Sequence, residues 1–286
     1  MKKKTCGLLV NLILYIVAFA VGIVPFCLID DILLAEATLT MTATLVIYVV
    51  TCFVPDTSLY DPYWSVAPPV MIAAAMIKYG LCSANALILL LGVIVWSVRL
   101  TVNWAVTYKG LLQEDWRYSQ FRAKYGKLGF ALINFVGLQY VPTIVVYAGL
   151  IAAFYIIQTE GFDPLILVGI TIMLTGVVFE TIADSSLKRF VRENSNRTVT
   201  CDISLWRYSR HPNYLGEIMF WTGIFVSFIL IRPDIWYCGL GIILIVALFT
   251  TVSIPMMEKH NSERRSDYEN YKRRTSVLLL MPPRKI

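Results

Sequence analysis

Residues 206–231 read WRYSRHPNYLGEIMFWTGIFVSFILI, a twelve-residue segment rich in polar and aromatic side chains that leads directly into an apolar run. Residues 213–231 approach the roughly 20 residues that an α-helix needs to cross a bilayer. Ionisable side chains at the edge of such a helix are costly unless they bind one another or a ligand. This stretch therefore predicts a membrane helix whose first turns are polar for a structural or functional reason.

The same apolar pattern recurs along the whole chain. Hydrophobic residues make up 57% of the 286 residues and charged residues only 15%, whereas soluble domains average about 25% charged. Eight runs are candidate spans, at about 8–29, 35–54, 64–80, 84–107, 130–157, 163–183, 213–231 and 235–256. The third is the weakest, because Pro68 and Pro69 interrupt it. We expect an all-α, polytopic membrane helix bundle of about seven to eight transmembrane helices, folded as one integral membrane domain over residues 1–286.

The distribution of charge predicts the topology. If the N-terminus with Lys2, Lys3 and Lys4 is cytoplasmic, nearly all of the 25 Lys and Arg residues fall on that side, and mostly acids lie opposite. The net charge of +6 thus reports membrane orientation rather than binding of nucleic acid. We expect cytoplasmic N- and C-termini, membrane lipids as partners, and either a bacterial inner membrane or the endoplasmic reticulum. The oligomeric state is not indicated.

Cysteine and histidine usage argues against a metal centre. The six cysteines form no C-x-x-C pair and resemble small apolar residues. Only His211 and His260 are present, which excludes a histidine-rich site, and no metal is expected. The chain also lacks a G-x-G-x-x-G or P-loop motif, so any nucleotide would be held by side chains from several helices.

Three polar stretches are candidate binding segments, each with a plainer alternative. The arginines, Asn213 and the tyrosines of residues 206–217 suit a phosphorylated, ribose-containing ligand, or else anchor the chain at the headgroups. Glu180 and Asp184 share a helix face and could bind ribose hydroxyls or neutralise arginines. Residues 258–274 read as an ordered helix and loop that contacts a ligand or anionic lipid.

Two stretches of the first half carry further candidates. The turn DTSLYDPYWS at residues 56–65 offers acids and phenols for a substrate-pocket rim, or forms an aromatic belt with a helix N-cap. Arg99 lies deep in the fourth run and either faces the bundle interior or reaches back to the cytoplasmic edge. The loop at residues 114–122 alternates acids, bases and aromatics, as an amphipathic surface helix or a cofactor contact would.

Several motifs together resemble one family. They are D-P-Y-W at residues 61–64, W-x-x-R-L at 96–100, E-D-W-R-Y at 114–118, R-H-P-N-Y-L-G-E at 210–217, and the ending that runs from Glu258 through Arg265, Tyr268 and Tyr271. Over residues 55–284 the chain is similar to the bacterial-type branch of the steroid 5α-reductase superfamily of integral membrane proteins. A shorter R-H-P-x-Y-x-G form also occurs in isoprenylcysteine and phospholipid methyltransferases.

The resemblance implies an NADPH site in the cytoplasmic half of the bundle. In that family, hydride passes from NADPH to the β-carbon of an enone. By matching motif, the implied cofactor contacts are Arg99, Asp184, Arg207, Arg210, His211, Asn213, Tyr214, Glu217, His260, Arg264, Arg265 and Tyr268. Among them, Arg207, Arg210, Arg264 and Arg265 would hold the pyrophosphate and the 2′-phosphate.

The proton-donor side departs from the family pattern. Steroid-active members pair a glutamate with a tyrosine three residues before the arginine that matches Arg99. This chain has Asp61 near the glutamate position and Trp96 at the tyrosine position, and an indole N–H cannot protonate an enolate. Asp61 and Tyr63 are therefore the expected catalytic residues, with Tyr60 as a substitute phenol, or else the substrate is not a 3-oxo-steroid.

We expect an NADPH-dependent reductase of a conjugated C=C bond in a lipophilic, steroid- or isoprenoid-like enone. Two other functions remain open. A methyltransferase that uses S-adenosylmethionine on a lipid or prenyl-cysteine would bind the ribose and amine through Glu180, Asp184 and Glu217. A non-catalytic lipid-binding scaffold would need neither cofactor.

Overall fold

The structure is a computed structural model that describes residues 2–54, 56–196 and 198–285. This part of the chain is helical, and a single β-bridge joins Ser209 to Ser276. The α-helices are α1 (Lys2–Leu28), α2 (Ile32–Phe53), α3 (Tyr63–Tyr79), α4 (Ala84–Thr107), α5 (Trp116–Leu132), α6 (Val141–Ile157), α7 (Ile166–Glu193), α8 (Pro212–Ile231), α9 (Gly241–Leu248), α10 (Ile254–Arg264) and α11 (Tyr268–Arg274).

Seven helical stretches among the described residues are long and apolar enough to cross a membrane. The stretches are Lys3–Leu28, Ile32–Phe53, Ala84–Thr107, Trp116–Ile157, Ile166–Glu193, Pro212–Ile231 and Pro233–Arg264. The remaining expected span is α3, which has only 17 residues. The protein is thus an all-α, multi-pass membrane protein, as the apolar runs predicted.

Two of the expected spans are longer than their apolar cores. The helix α7 continues about ten residues beyond the expected end, and Arg189 pairs with Glu193 at 3.1 Å in its last turns. The last span extends to Arg264 through a 3₁₀ segment, α9, a π-helical turn and α10. Hydropathy marks where a helix is apolar, but charged turns can continue the helix beyond that point.

The chain divides into two compact units, one ending at Phe162 and one beginning at Asp163. At one end of unit 1, Lys78 at the end of α3 donates hydrogen bonds to the carbonyls of Phe26 and Ile29. Asn85 at the start of α4 donates to Thr159 Oγ1 at 3.0 Å. The end of α3 therefore lies beside the end of α1, and the start of α4 lies beside the turn that follows α6.

The other ends of the unit 1 helices meet around the 56–62 turn. Lys4 Nζ donates to the carbonyl of Val106 at 2.8 Å, which ties the start of α1 to the end of α4. Asp56 accepts a 2.7 Å hydrogen bond from the Leu112 amide. The helix α3 thus begins near the contacts at the start of α1 and ends near those at the end of α1, as a helix running the length of the bundle does.

A buried polar network lies beside the 56–62 turn of unit 1. A π-helical segment, Ile133–Tyr140, joins α5 to α6. Gln139 there is fully buried and donates to Thr51 Oγ1 and Asn134 Oδ1, both at 3.0 Å. Its carbonyl accepts from the Tyr60 hydroxyl at 2.8 Å, which also contacts Thr143 Oγ1 at 2.7 Å. Pairing of these groups removes most of the cost of burying them in an apolar bundle.

Glycines bring α7 and α8 of unit 2 into backbone contact. Gly169 and Gly176 lie seven residues apart on α7, and Gly216 and Gly223 have the same spacing on α8. A Cβ atom at Gly169 would lie 2.2 Å from the Gly223 carbonyl oxygen, and one at Gly176 would lie 2.4 Å from that of Gly216. Small residues at helical spacing allow such close packing in membranes. This contact fixes the start of α8, where the R-H-P-N motif lies.

Candidate functional site

The R-H-P-N segment of unit 2 is held by the end of the chain. The Arg210 amide donates to the Ser276 carbonyl at 2.8 Å, and Ser209 Oγ donates to the Leu278 carbonyl at 2.7 Å. Met281 N–H donates to the Tyr208 carbonyl at 3.1 Å. These bonds place residues 208–210 alongside the tail, so that Arg210 and His211 are fixed just before α8 begins.

Further side chains join this segment to α7 and α11. Trp206 Nε1 donates to the Ala183 carbonyl on α7 at 2.8 Å. The Tyr271 hydroxyl on α11 donates to the Trp206 carbonyl and lies 3.2 Å from that of Ser209. Asp267 accepts hydrogen bonds from both the amide and the hydroxyl of Thr200. The loop before α8 is therefore a built structure rather than a loose lipid anchor.

Three ionisable side chains meet at the centre of this arrangement. Arg210 Nε and His211 Nε2 lie 3.1 and 3.5 Å from the same oxygen, Oε1 of Glu258 on α10. Their side chains are 8%, 5% and 18% exposed, respectively. These distances satisfy a charge contact, but none of the three atoms has a hydrogen bond of proper alignment. A buried charge needs a counter-ion, and Glu258 supplies it for Arg210.

A small pocket of about 130 Å³ opens beside these groups. The rings of His211 and Tyr214 are stacked, with centroids 5.3 Å apart and planes 3° from parallel. The pocket is lined by Leu187, Thr200, Cys201, Trp206, Arg210, His211, Asn213, Tyr214, Met257, Asn261, Arg265, Tyr268 and Tyr271. This mixture of aromatic faces and hydrogen-bonding groups suits a flat, polar ring.

A second pocket of about 400 Å³ shares Asn261 and Arg265 with the first. Its lining consists of Phe190, Val191, Asn194, Asn196, Val199, His260, Asn261, Arg264 and Arg265. Two arginines, a histidine and three asparagines face it, and none of these lining residues is an acid. Arg265 Nη1 donates to the Val199 carbonyl at 3.3 Å, and Arg264 Nη1 lies 3.2 Å from His260 Nε2. Such a pocket attracts anions.

The two pockets bring together most of the residues expected to contact a cofactor. Arg210, His211, Asn213, Tyr214 and Tyr268 line the small pocket, and His260 and Arg264 line the larger one, with Arg265 in both.

Three other expected residues of unit 2 do not line either pocket. Arg207 is exposed and Asp184 is partly buried on α7. Glu217 is buried in α8, where its Oε1 accepts a 3.0 Å hydrogen bond from Trp221 Nε1. Arg99, the twelfth, is partly buried on α4 of unit 1. The cofactor roles of all twelve residues stay predictions.

The expected proton donor Asp61 lies in unit 1 and has a partner that the sequence reasoning missed. The Tyr118 hydroxyl, at the start of α5, donates a short hydrogen bond to Asp61 Oδ1. Burial raises the pKa of the Asp61 carboxyl to about 7, although Arg117 and the Tyr118 hydrogen bond oppose the shift. A carboxyl group with this pKa can donate a proton near neutral pH.

The two tyrosines expected beside Asp61 have other partners. The Tyr63 hydroxyl lies 3.0 Å from Thr40 Oγ1, and Tyr60 belongs to the network of Gln139 and Thr143. Trp96 is fully buried and its ring lies 6.2 Å from that of Trp64. The catalytic role of Tyr63 stays a prediction, and Tyr118 is the phenol in contact with Asp61.

Two functional candidates were missed, although both lie in motifs that the sequence had marked. Tyr118 ends the E-D-W-R-Y stretch, but 57 residues separate it from Asp61 and no local periodicity links them. Glu258 opens the C-terminal motif, where it read as one charge in a mixed tail. Pairing across such distances depends on the packing of the helices, which a single sequence does not specify.

Fold and site define a multi-pass, all-α membrane protein with a polar, partly basic site beside the start of α8. The comparison with protein families gives a more particular assignment. A family model described as "Protein of unknown function (DUF1295)" matches residues 47–275, and the chain belongs to this family. No curated protein and no solved structure matches the chain.

Proposed function

We propose that unit 2 binds NADPH and that the protein is a reductase of a conjugated C=C bond in a lipophilic enone. One observation carries the proposal: unit 2 has two pockets that share lining residues. The small pocket has an aromatic and polar lining, and the larger pocket has a basic lining that contains no acid. The larger pocket, about 400 Å³, falls within the roughly 300–1,000 Å³ of small-molecule sites. The motif-level resemblance to the steroid 5α-reductase superfamily supports the same choice.

The basic pocket suits the 2′-phosphate. Guanidinium groups bind phosphate oxygens through paired, charge-assisted hydrogen bonds, and Arg264 and Arg265 lie next to each other in that lining. Asn194, Asn196 and Asn261 add neutral donors. NADH lacks this phosphate, so these residues would make the site prefer NADPH.

The small pocket suits a ring of the dinucleotide. His211 and Tyr214 stack on each other and form an aromatic wall, and Asn213 adds a hydrogen-bonding group to the same lining. Aromatic faces stabilise a flat ring by stacking, and polar groups at the rim fix its orientation.

Bound NADPH would supply the hydride, and the protein must then stabilise the charge that develops on the carbonyl oxygen of the enone. The residues proposed for this task are Asp61 and Tyr118 of unit 1. A neutral Asp61 carboxyl can donate a hydrogen bond or a proton, and Tyr118 holds it in place.

Methyl transfer from S-adenosylmethionine is the second candidate. One observation favours it: the Glu258 carboxylate next to the small pocket suits an amine or a sulfonium better than a phosphate. The rival ligand carries no phosphate, so it gives no role to Arg264 and Arg265.

Analysis of co-purified nucleotide tests the proposal. The full-length protein is purified in detergent, and the extract is analysed by mass spectrometry for NADPH, NADP⁺, S-adenosylmethionine and its demethylated product. We expect NADPH or NADP⁺ in the wild type and a marked loss in Arg265→Gln. Arg232→Gln, which removes a partly exposed arginine paired with Asp234, is the control and should retain the nucleotide. Recovery of S-adenosylmethionine instead would favour the methyltransferase.

A further inference from the structure

We propose that Glu258 is the built-in anion of the unit 2 site, and that a phosphate group must displace it to reach Arg210 and His211. This inference rests on the proposed function insofar as it takes the ligand to carry phosphate. Glu258 would then determine whether the site binds a complete nucleotide or any simple anion, because it is an acid within a region that otherwise attracts anions.

The contact geometry is the first argument. A single oxygen of Glu258 serves both Arg210 Nε at 3.1 Å and His211 Nε2 at 3.5 Å. Neither donor has an aligned hydrogen bond, and neither does the oxygen. Attraction between the Arg210 guanidinium and the Glu258 carboxylate therefore holds the contact, whereas most buried donors in proteins are properly hydrogen-bonded.

The second argument is what a phosphate would offer in the same place. A phosphate presents several acceptor oxygens spread over a tetrahedron, so separate oxygens can align with the guanidinium and with the imidazole. Exchange of the carboxylate for a phosphate thus converts a poorly aligned charge contact into aligned hydrogen bonds. Arg210 also lines the small pocket, so a ligand there can reach it.

The third argument concerns the helix that carries Glu258. The helix α10 follows a π-helical turn, Phe249–Ser253, a distortion that is frequent at functional sites. Met257 directly precedes Glu258 and Asn261 follows it by three residues, and both line the small pocket. Occupation of the pocket would therefore act on the same turn of helix that holds the carboxylate.

The consequence is competition. In the wild type, a phosphate gains the Arg210 contacts only after the Glu258 contacts are broken. We therefore expect small phosphates to bind weakly, and a complete nucleotide to bind more tightly because its ring and second phosphate contribute as well. Loss of the carboxylate should raise the affinity for any phosphate and reduce discrimination between nucleotide and simple anion.

Binding of inorganic pyrophosphate tests this inference without any measurement of activity. The full-length protein in detergent is titrated with pyrophosphate, and binding is followed by the increase in thermal unfolding temperature. The variants are Glu258→Gln, Glu258→Asp, the double variant Arg210→Gln/Glu258→Gln, and the control Glu263→Gln. Glu263 lies on the same helix but is exposed, 4.0 Å from Lys259.

We expect Glu258→Gln to bind pyrophosphate about tenfold more tightly than the wild type, the ratio for one charge-assisted hydrogen bond gained. Glu258→Asp should show a smaller gain, the double variant should lose the gain, and Glu263→Gln should match the wild type. Equal or weaker binding by Glu258→Gln overturns the inference. If Glu258→Gln does not fold, Glu258→Asp provides the test, and a pyrophosphate affinity equal to that of the wild type overturns the inference. Failure of the wild type to bind NADPH would contradict the proposed function. Tighter binding of pyrophosphate by Glu258→Gln would still support the present inference.

Discussion

At the scale of single residues, Asp61 shows how burial can keep a carboxyl group protonated near neutral pH. Its pKa is raised from 3.8 to about 7 mainly because the bundle desolvates the carboxylate. The folded protein thus favours the protonated form, and the unfolded chain does not. The free energy of unfolding should therefore decrease as pH rises from about 4 to about 7 and remain lower above that range.

Replacement of the Asp61 carboxyl by a group that cannot ionise gives a first prediction. Asp61→Asn keeps an acceptor for Tyr118 but cannot ionise, so its stability relative to the wild type should be higher at pH 8 than at pH 5. Thermal unfolding in detergent at the two pH values measures the difference. Asp30→Asn, at an exposed position, should show no such change. An equal effect of Asp61→Asn at both pH values would mean that Asp61 ionises normally.

Tyr118 gives a prediction for the proposed reaction. Its hydrogen bond lowers the pKa of Asp61, so Tyr118→Phe should raise that pKa further. In enone-dependent oxidation of NADPH, the decline in rate at high pH should move to higher pH, and the rate itself should fall. Tyr125→Phe, an exposed tyrosine on the same helix, should leave the pH profile unchanged. An unshifted profile in Tyr118→Phe would remove Asp61 from the role of acid.

The arginines of the basic pocket give a third prediction. Arg264→Gln and Arg265→Gln should each weaken NADPH binding about tenfold or more, the usual cost of a lost hydrogen bond to a charged group. NADH binding should change little, because NADH lacks the 2′-phosphate. Equilibrium titration measures both. The exposed Arg189→Gln is the control, and equal losses for both nucleotides would place the 2′-phosphate elsewhere.

At the scale of elements, the contact of α7 with α8 depends on the absence of side chains. Gly169→Ala would place a methyl group 2.1 Å from Ser227 Oγ and 2.2 Å from a backbone carbonyl, so the helices must separate. Overpacking of this kind costs about 1–3 kcal/mol. We expect a lower thermal unfolding temperature for Gly169→Ala, and also for Gly223→Ala. Gly137→Ala is the control, because its nearest neighbour is 4.0 Å away, and equal effects at all three positions would refute this account.

Helices were the part of the fold that hydropathy predicted well. The expected span 84–107 coincides with α4, since polar Ser83 caps its start and Tyr108 ends its apolar run. The π-helical segments Ile133–Tyr140 and Phe249–Ser253 were not foreseen, because an extra residue in a turn leaves no mark in composition. Neither were the tail contacts at Ser276 and Leu278, which pair with Arg210 and Ser209 across long stretches of sequence.

The candidate site was predicted unevenly for a related reason. Arg210, His211, Asn213 and Tyr214 are adjacent in sequence, so one motif revealed them together. Glu258 lies about 50 residues further along the chain and contacts Arg210 and His211 only in the folded protein, so such pairing requires the three-dimensional structure.

At the scale of the whole molecule, the short helix α3 decides the topology. Its 17 residues are at the lower limit for a span, and its end contacts the α1–α2 turn. If α3 crosses, the chain has eight spans and both termini are on one side, which the charge distribution predicts to be cytoplasmic.

Cysteine labelling tests this topology. Cys82, exposed just after α3, should react in intact cells or sealed vesicles with a membrane-impermeant maleimide added from the non-cytoplasmic side. Cys6, exposed near the N-terminus, should react only after permeabilisation. Variants that retain one of these cysteines provide the comparison. Protection of Cys82 would mean that α3 does not cross.

The central claim, that unit 2 is an NADPH site, is tested most directly by equilibrium titration of the purified full-length protein. NADPH, NADH and S-adenosylmethionine are added separately, and binding is followed by calorimetry. We predict saturable binding of NADPH, weaker binding of NADH, and no binding of S-adenosylmethionine. Saturable binding of S-adenosylmethionine with none of NADPH would contradict the account and assign the pockets to methyl transfer.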